Sequence, residues 1–393
     1  MDALASPTLV RGVEDTEQTF LKFLNRGEKP NDFERQLLAD HFDRITSIFS
    51  GGNPPPYELE IQPSGKCNLD CTHCFGKHYP HLENRLDEST LDTIVENVLG
   101  FRQNGFEVET VKFCGTTGEP LTNPITLQGI RRFKEAGKKV ILFTNGLNLG
   151  KNNCSGKYYD YVLGADKLNL SLDAGSERTF MQIKGKPGFD QIVTTLEETV
   201  AKREAVGSRT RIIVSYVIGT GNYHEVAETA RRMKEIGVDE AKFRVDFTDQ
   251  KGIHGISGEI IAELHAAKKH ETPQFKVDSV YSEEDITEDD SAFNSEGRRC
   301  FNSNFWACIG PDCNLYSCGH RTHGGIVSYG DALKHDLNYL WNHPQRLDAV
   351  STLPDANCSV CSPSSSRRNT FMTFLSGLPL SKIVELNKKY GTK

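Results

Sequence analysis

The chain has 393 residues and a formal net charge of −7, and 25% of its residues are charged, which is ordinary for a soluble globular protein. The negative charge argues against a nucleic-acid backbone as a partner. No apolar run approaches the roughly eighteen residues that a membrane span needs. The first residues also lack a basic segment followed by an apolar stretch, so no secretory signal is expected. We therefore expect a cytoplasmic protein with neither nucleic acid nor a membrane among its partners.

Residues 1–56 carry apolar side chains at helical spacing over Glu17–Leu24 and Asp32–Ile48, which predicts a helical N-terminal extension. Over residues 57–250, strand-like and helix-like runs alternate six times. Parallel strands need crossover connections, so this alternation predicts an α/β fold, a partial (β/α)6 TIM-like barrel with helices outside. Ligand sites in such barrels lie at the C-terminal ends of the strands. The predicted strands are Glu58–Gln62, Thr110–Phe113, Lys139–Phe143, Lys167–Leu172, Arg211–Ile218 and Ala241–Phe247.

The alternation lapses after residue 250. One helix is predicted at Ser257–Lys269 and another at Ser381–Lys389, and the acidic stretch Ser282–Asp290 is typical of a solvated linker. The remaining parts of the chain are a linker at 251–297, a small cysteine-rich domain at 298–365 and a helical tail at 366–393.

Eleven cysteines in a reducing compartment indicate metal binding or catalysis more than disulfides. Three of them, Cys67, Cys71 and Cys74, follow the first predicted strand with Cys-x3-Cys-x2-Cys spacing. Three thiolates can ligate three irons of a cubane cluster and leave the fourth iron open to a chelating ligand. The alternative is a zinc site completed by His73 or His78.

This loop, placed after the first strand of a βα series, resembles the signature of the radical S-adenosylmethionine (radical SAM) superfamily. The resemblance implies a 4Fe–4S cluster on Cys67, Cys71 and Cys74 that binds S-adenosylmethionine, with His73 among the cofactor contacts. It also implies that S-adenosylmethionine is cleaved to a 5′-deoxyadenosyl radical, which removes a hydrogen atom from the substrate. The electron for this cleavage would come from an external donor such as flavodoxin or ferredoxin.

The loops after the later strands match the same family in order. Gly115-Thr-Thr-Gly118-Glu119-Pro120 resembles the Gly-Gly-Glu-Pro loop that receives the methionyl ammonium, with Thr117 as a departure. The fourth strand ends in Ser171-Leu-Asp173, and strand alternation predicts both polar side chains on one face, toward the ribose and carboxylate of the cofactor. Taken alone, these motifs are ordinary turns or a capped helix start, and Arg244 and Asp246 are equally an internal ion pair or a solvated strand end. The cofactor contacts implied by the resemblance are Gly118, Glu119, Asn145, Ser171, Asp173, Ser215 and Arg244.

A second cysteine group, Cys300, Cys318, Cys358 and Cys361, resembles the C-terminal auxiliary-cluster extension called SPASM, in its shorter twitch form. Four thiolates suffice for one auxiliary 4Fe–4S cluster, which would accept an electron from the substrate radical. The alternative is a four-cysteine zinc knuckle. Cys313 stands where the family usually has glycine in a hairpin turn, which predicts a strained turn or a thiol near the active site. The cysteine spacing most resembles that of the butirosin-pathway inosamine dehydrogenase.

We consider two reactions of the substrate radical, oxidation and epimerisation. Oxidation needs a base, for which Asp246, His320 and His323 are candidates, and epimerisation needs a hydrogen donor such as Cys308 or Cys313. Both thiols are equally explained as buried and inert. Gly319, where sulfatase-maturating relatives carry aspartate, argues against that activity.

The helical N-terminal extension is shorter than the strand-containing precursor-binding domain of peptide-modifying relatives. This favours a small polar substrate such as an aminosugar, aminocyclitol or nucleoside-type metabolite, with a ribosomal peptide as the main alternative. A zinc-binding interaction protein is the non-enzymatic alternative. Cys114 and Cys154 have no predicted role.

Overall fold

All six strands expected between residues 57 and 250 are present in the computed structural model, close to their expected bounds. A seventh strand follows them, and three more come from the cysteine-rich segment. Two short hairpins pair Asn25–Arg26 with Lys29–Pro30 and Arg102–Gln103 with Phe106–Glu107. The remaining strands are β1 (Glu58–Ile61), β2 (Thr110–Phe113), β3 (Lys139–Thr144), β4 (Lys167–Ser171), β5 (Arg211–Ile218), β6 (Glu240–Val245), β7 (Lys276–Ser279), β8 (Trp306–Ile309), β9 (Asn314–Tyr316) and β10 (Gly330–Asp331).

These ten strands form one sheet in the order β7-β6-β5-β4-β3-β2-β1-β8-β9-β10. Pairing is parallel from β7 through β1 and also between β1 and β8, whereas β8, β9 and β10 pair antiparallel. The predicted partial barrel of parallel strands is confirmed. The cysteine-rich segment continues the barrel sheet at its β1 edge, with Cys308 directly opposite Glu60.

The strand faces alternate as the sequence requires. On β1, Leu59 and Ile61 are fully buried in the core, whereas Glu58 and Glu60 point to the barrel interior and line its cavity. The outward face packs against the helices, and the inward face is free to carry polar side chains.

Helices follow most strands, as parallel crossovers demand. The expected helices are present. The structure adds six helices that the sequence analysis did not predict, at Glu177–Lys184, Gln250–Gly255, Glu283–Thr287, Asn302–Phe305, Leu337–Asn342 and Pro344–Ser351. The helices are α1 (Val13–Leu24), α2 (Asp32–Phe49), α3 (Glu88–Gly100), α4 (Ile125–Glu135), α5 (Tyr158–Val162), α6 (Glu177–Lys184), α7 (Phe189–Ala205), α8 (Val226–Ile236), α9 (Gln250–Gly255), α10 (Ser257–Lys268), α11 (Glu283–Thr287), α12 (Asn302–Phe305), α13 (Leu337–Asn342), α14 (Pro344–Ser351), α15 (Pro363–Ser376) and α16 (Leu380–Tyr390).

Helix α6 matters most for the site, and local chemistry fixes both of its ends. Ser176 caps its N-terminus by accepting a hydrogen bond from the backbone of Thr179. Gly185 ends it in the left-handed conformation at φ 74°, which glycine adopts without steric cost. The helix therefore stops at a defined point beside the first cysteine loop.

The N-terminal extension and the C-terminal tail form one hydrophobic core, separate from that of the barrel. Phe20 of α1 packs against Phe371 of α15, with ring centroids 5.9 Å apart. Phe49 of α2 contacts Phe301 edge-on at 5.8 Å, next to Cys300. Burying each such ring stabilises the fold by roughly 1.5–3 kcal/mol, so this core anchors the second cysteine group.

The structure describes most of the chain, and Cys154 and residues 288–290 of the predicted acidic linker lie outside the described part. Within that part, none of the helices is both long enough and apolar enough to span a bilayer. The described residues are 13–26, 29–30, 32–149, 158–287, 299–355, 358, 361 and 363–391.

Candidate functional site

The first cysteine loop leaves the C-terminal end of β1 and is held by the end of α6. The backbone N–H of Asp70 donates to the carbonyl of Lys184 at 3.0 Å, and that of Thr72 donates to the carbonyl of Ile183 at 2.8 Å. The loop thus satisfies carbonyls that the helix end leaves unpaired. Its position is set by the barrel and not by its own sequence alone.

The three thiols of this loop are neighbours. Cys67 is exposed, whereas Cys71 and Cys74 are half-buried. Burial raises the pKa of Cys71 to about 11, and the nearby Asp173, Cys67 and Cys74 act in the same direction against the opposing charge of Lys184. Without a metal the Cys71 thiol therefore stays protonated, and a metal that binds it has to displace its proton.

The loop after β2 packs tightly on the first cysteine loop. A Cβ added to Gly118 would lie 1.8 Å from the carbonyl oxygen of Ser64, so only glycine fits there. The backbone N–H of Glu119 donates to the carbonyl of Lys66 at 2.9 Å. The role of Gly118 is thus to let the two loops pack closely against each other.

The Glu119 carboxylate, predicted to receive the methionyl ammonium, is buried and already accepts three hydrogen bonds. They come from Thr144 Oγ1 at 2.6 Å, the N–H of Leu121 at 2.9 Å and the N–H of Asn145 at 2.8 Å. Burial raises the pKa of Glu119 in spite of these donors. A carboxylate has about four acceptor positions, so a single one is left for a ligand.

Asn145, in the loop after β3, reaches the first cysteine loop directly. Its Nδ2 donates to Asn68 Oδ1 at 2.7 Å and lies 3.8 Å from Cys67 Sγ. The structure therefore brings Cys67, Glu119 and Asn145 together, as expected from three loops at the same end of parallel strands.

Asp173 does not continue the alternation of β4. The strand ends at Ser171, and Asp173 has a left-handed backbone with φ 57°, so the inference that both side chains share one strand face is wrong. The Asp173 carboxylate is buried, is paired with Lys184 Nζ, lies 3.2 Å from His73 Nε2 and accepts the N–H of Val217 at 2.7 Å.

Burial alone would raise the pKa of Asp173, but Lys184 and His73 outweigh it and hold that pKa well below its usual value. Asp173 is therefore an ionised anchor for His73, which lies between Cys71 and Cys74. The sequence analysis did not predict a role for Lys184, although the sequence shows this lysine directly before Gly185. Contacts of Asp173 and His73 with the cofactor stay predictions.

Further round the barrel, Ser215 Oγ donates to Asn169 Oδ1 at 2.7 Å. The ion pair considered for Arg244 and Asp246 is not found among the described residues, where Asp246 instead accepts from the N–H and hydroxyl of Thr248 at 2.9 and 2.6 Å. Arg244 lines the cavity, and its buried Nε has no hydrogen-bond partner in the described part of the chain. Contact of Arg244 with the cofactor stays a prediction.

The second cysteine group converges from three separate segments. Burial raises the pKa of Cys318 to about 12, with Cys300 and Cys358 nearby acting in the same direction. Cys361 lies close to the other three thiols, and its pKa is raised as well, first by burial. All four thiols line one cavity, so the predicted set is assembled.

Among the described residues, no three side chains of His, Cys, Asp or Glu converge on one point as ligands of a single metal ion. A cubane cluster distributes its thiolates over separate irons and does not require such convergence.

Two thiols proposed as hydrogen donors lie in different places. Cys313 has φ 63°, which confirms the strained turn, and its charged neighbours are Asp312 and Asp331. It does not line the cavity, and its role as a hydrogen donor stays a prediction. Cys308 is fully buried, and its Sγ lies 3.8 Å from Glu60 Oε1.

Glu60 is a further site residue that the sequence analysis missed, because a glutamate inside a strand is unremarkable without the fold. Lys112 Nζ lies 2.7 Å from one Glu60 oxygen, and Gln62 Nε2 donates to the other at 2.8 Å. Burial would raise the pKa of Glu60, but Lys112 outweighs it and lowers that pKa. A Cβ on Gly319 would lie 2.5 Å from Glu60, so the carboxylate occupies the space beside that glycine.

The candidate bases His320 and His323 both flank the first cysteine loop. His320 packs against Phe75 with ring centroids 4.9 Å apart, and His323 stacks on Tyr79 at 4.2 Å. Burial lowers the pKa of His320, outweighing the nearby Glu60, and burial also lowers the pKa of His323. Both rings are therefore neutral near pH 7 and able to accept a proton, but only His320 lines the cavity.

A single cavity of about 2220 Å³ is lined both by residues next to the first cysteine loop, among them Phe75 and Gly115, and by the second cysteine group. Ligand pockets for small molecules have volumes of about 300–1,000 Å³. The cavity therefore has room for cofactors and a substrate together.

Comparison with known proteins matches the middle of the chain to one family model. Residues 61–233 match the family model of the Radical SAM superfamily. A probable GTP 3′,8-cyclase of Metallosphaera sedula is 25% identical over 241 residues, which cover 57% of this chain and 70% of that protein. The tungsten-containing aldehyde ferredoxin oxidoreductase cofactor-modifying protein of Pyrococcus furiosus is 26% identical over 182 residues, 46% of this chain and 49% of that protein. The chain thus spans about half the length of the second relative.

Two solved structures share the fold at low sequence identity. Streptococcus suis SuiB bound to precursor peptide SuiA has a TM-score of 0.57 and 15% identity, covering 87% of this chain and 76% of that one. The protein anSMEcpe with bound AdoMet has a TM-score of 0.52 and 14% identity, covering 85% and 98%.

Proposed function

The chain carries a radical SAM domain over residues 61–233, and we propose from its cavity that it is an oxidising enzyme with two 4Fe–4S clusters. The observation that carries this proposal is that residues beside the first cysteine loop and all four thiols of the second group line one cavity. A substrate held there lies between a site of hydrogen abstraction and a site of electron acceptance. The domain match also favours an enzyme over the zinc-binding scaffold.

The residues of the first loop fit the cofactor pair of this domain. Three free thiols leave one iron of a cubane without a protein ligand, and Asn145 and the remaining acceptor position of Glu119 face the same loop. When bound, a 4Fe–4S cluster with S-adenosylmethionine supplies a radical that removes a hydrogen atom from the substrate. Arg244, with its unpaired Nε, is suited to hold a carboxylate.

The second group fits a fully ligated cluster, since it offers four thiols that line one cavity. Oxidation removes a hydrogen atom, an electron and a proton from the substrate. His320 is neutral and lines the cavity, so we propose it as the proton acceptor, with the ionised Glu60 beside it to stabilise the resulting imidazolium. Asp246 is less suited, because Thr248 already occupies one of its oxygens.

The first substrate candidate is a small polar metabolite, such as an aminosugar, aminocyclitol or nucleoside-type compound. It is favoured by the helical N-terminal extension, whose described part offers only one two-residue strand pair for binding a precursor. A peptide is the second candidate. The large cavity favours it, and SuiB was solved with a precursor peptide.

The test is an anaerobic incubation of the reconstituted protein with S-adenosylmethionine and dithionite, with separate panels of aminocyclitols, aminosugars, nucleosides and peptides. We expect 5′-deoxyadenosine in every reaction, more of it with the right class, and a product about 2 Da lighter, because oxidation removes two hydrogens. His320→Gln should retain 5′-deoxyadenosine and lose product. No 5′-deoxyadenosine from a fully iron-loaded protein would refute the proposal.

A further inference from the structure

Arg321 joins two parts of the second cysteine group. It lies three positions after Cys318, and its backbone N–H donates to the Cys318 carbonyl at 3.1 Å. One guanidinium nitrogen donates to Cys358 Sγ at 3.1 Å and to Asp355 Oδ1 at 2.6 Å, and the other donates to Asp355 Oδ2 at 2.8 Å. The side chain is only 12% exposed. Asp355 therefore fixes the plane of the guanidinium and aims one N–H at the thiol.

Within the part of the chain that the structure describes, the first cysteine loop has no equivalent contact. Its nearby cation, Lys184, is paired with Asp173, and the donors to Cys67 are neutral, namely the N–H of Leu69 at 3.5 Å and Asn145 Nδ2 at 3.8 Å. Among the described residues, a charged donor to a cysteine sulfur is thus found only in the second group. The two sites differ in electrostatics as well as in ligand number.

Hydrogen bonds to cluster sulfurs and local charge are main determinants of iron–sulfur reduction potentials. Reduction adds negative charge that is partly carried by the ligand sulfurs. A guanidinium that stays charged and donates to such a sulfur therefore stabilises the reduced state more than the oxidised one.

We propose that Arg321 raises the reduction potential of the auxiliary cluster and so makes it the electron acceptor for the substrate radical. This rests on the proposed function, since it requires a cluster on the second cysteine group. Arg321 is a positioning residue that acts through Cys358 and does not need to touch substrate. In the step it serves, one electron would pass from the substrate radical to the cluster, and one proton would pass from the oxidised group to a base that lines the cavity.

The test measures the midpoint potential of the auxiliary cluster by a dye-mediated redox titration, followed by visible absorption and electron paramagnetic resonance. It uses the full chain with Cys67, Cys71 and Cys74 changed to alanine, so that a single cluster remains. In that background Arg321→Gln should shift the potential to a more negative value. Arg367→Gln is the matched control, because Arg367 lies on the same cavity wall and contacts Asp285 and the carbonyl of Val280.

Iron content separates the possible outcomes. About four irons per chain in the background protein establish the auxiliary cluster, and their absence overturns the proposed function before any titration is made. With the cluster present, an equal potential in Arg321→Gln and the background overturns the role of Arg321. If Arg321→Gln does not hold iron, Arg321→Met takes its place, since methionine fills similar space without charge or donor. A negative shift in Arg321→Met supports the role, and an unchanged potential overturns it.

Discussion

The two cysteine regions differ in how far apart their thiols lie in the sequence. The first takes its three thiols from eight consecutive residues in one loop, and two backbone hydrogen bonds to the end of α6 hold that loop in place. The second takes its thiols from three segments, which precede α12, follow β9 and precede α15. These segments meet because α12, α15 and the N-terminal helices share one hydrophobic core.

This difference explains what each region can do. A loop ligand set with one exposed thiol leaves room for a second ligand on its metal, as a substrate-binding cluster requires. A set of four half-buried thiols leaves no iron of a cubane without a protein ligand, as suits electron transfer. The thiols of the first region are therefore brought together by their spacing in one loop, and those of the second region by the tertiary core.

The largest expected effect is that of Cys71→Ala. It should abolish 5′-deoxyadenosine formation and lower the iron content from about eight to about four per chain, because the first cluster is lost and the second kept. Product analysis and iron determination check this. Cys313→Ala is the control and should change neither, since Cys313 lies outside the cavity. Continued 5′-deoxyadenosine formation in Cys71→Ala would refute the assignment.

Cys318→Ala tests whether the first cysteine region works without the second. Iron should again fall to about four per chain, but 5′-deoxyadenosine formation should persist without the oxidised product, since the electron acceptor is gone. The same assays check this. Loss of 5′-deoxyadenosine with an intact first cluster would show that the two regions are not independent.

Lys184→Met tests the support of the first loop. It leaves the buried Asp173 carboxylate without its cation, so the free energy of unfolding should fall by about 3–5 kcal/mol. Lys202→Met is the control, because that exposed lysine of α7 should contribute within about 0.5 kcal/mol. Urea denaturation of the metal-free proteins measures both. Equal losses would contradict the anchoring role of Asp173.

Gly118→Ala should have the smallest effect of the four. Its Cβ would meet the Ser64 carbonyl, and the strain should cost about 1–3 kcal/mol of stability and weaken binding of S-adenosylmethionine. Gly100→Ala, at an open position near the end of α3, is the control. Denaturation and equilibrium dialysis with labelled S-adenosylmethionine test this. A Gly118→Ala protein as stable as the control would show that the two loops can move apart.

The strands could be predicted because their residues alternate between apolar and polar or form apolar runs. Since ligand sites lie at the C-terminal ends of parallel strands, the loops around Cys67 could be predicted as well. Asp173 was misplaced, because strand periodicity carries no information on where a backbone turns left-handed. Lys184 and Glu60 could not be found, since each acts on a partner that lies far away in sequence. The shared core of α2 and α15 was likewise invisible, because no local pattern says which apolar faces meet.

The central claim is that the chain holds two clusters on separate cysteine regions. Iron and sulfide content after anaerobic reconstitution, measured on the wild type and on the Cys67/Cys71/Cys74→Ala variant, tests it most directly. We predict about eight irons falling to about four, as two cubanes require. About four irons falling to none would contradict the claim, because the second cysteine group would then hold no cluster and could accept no electron.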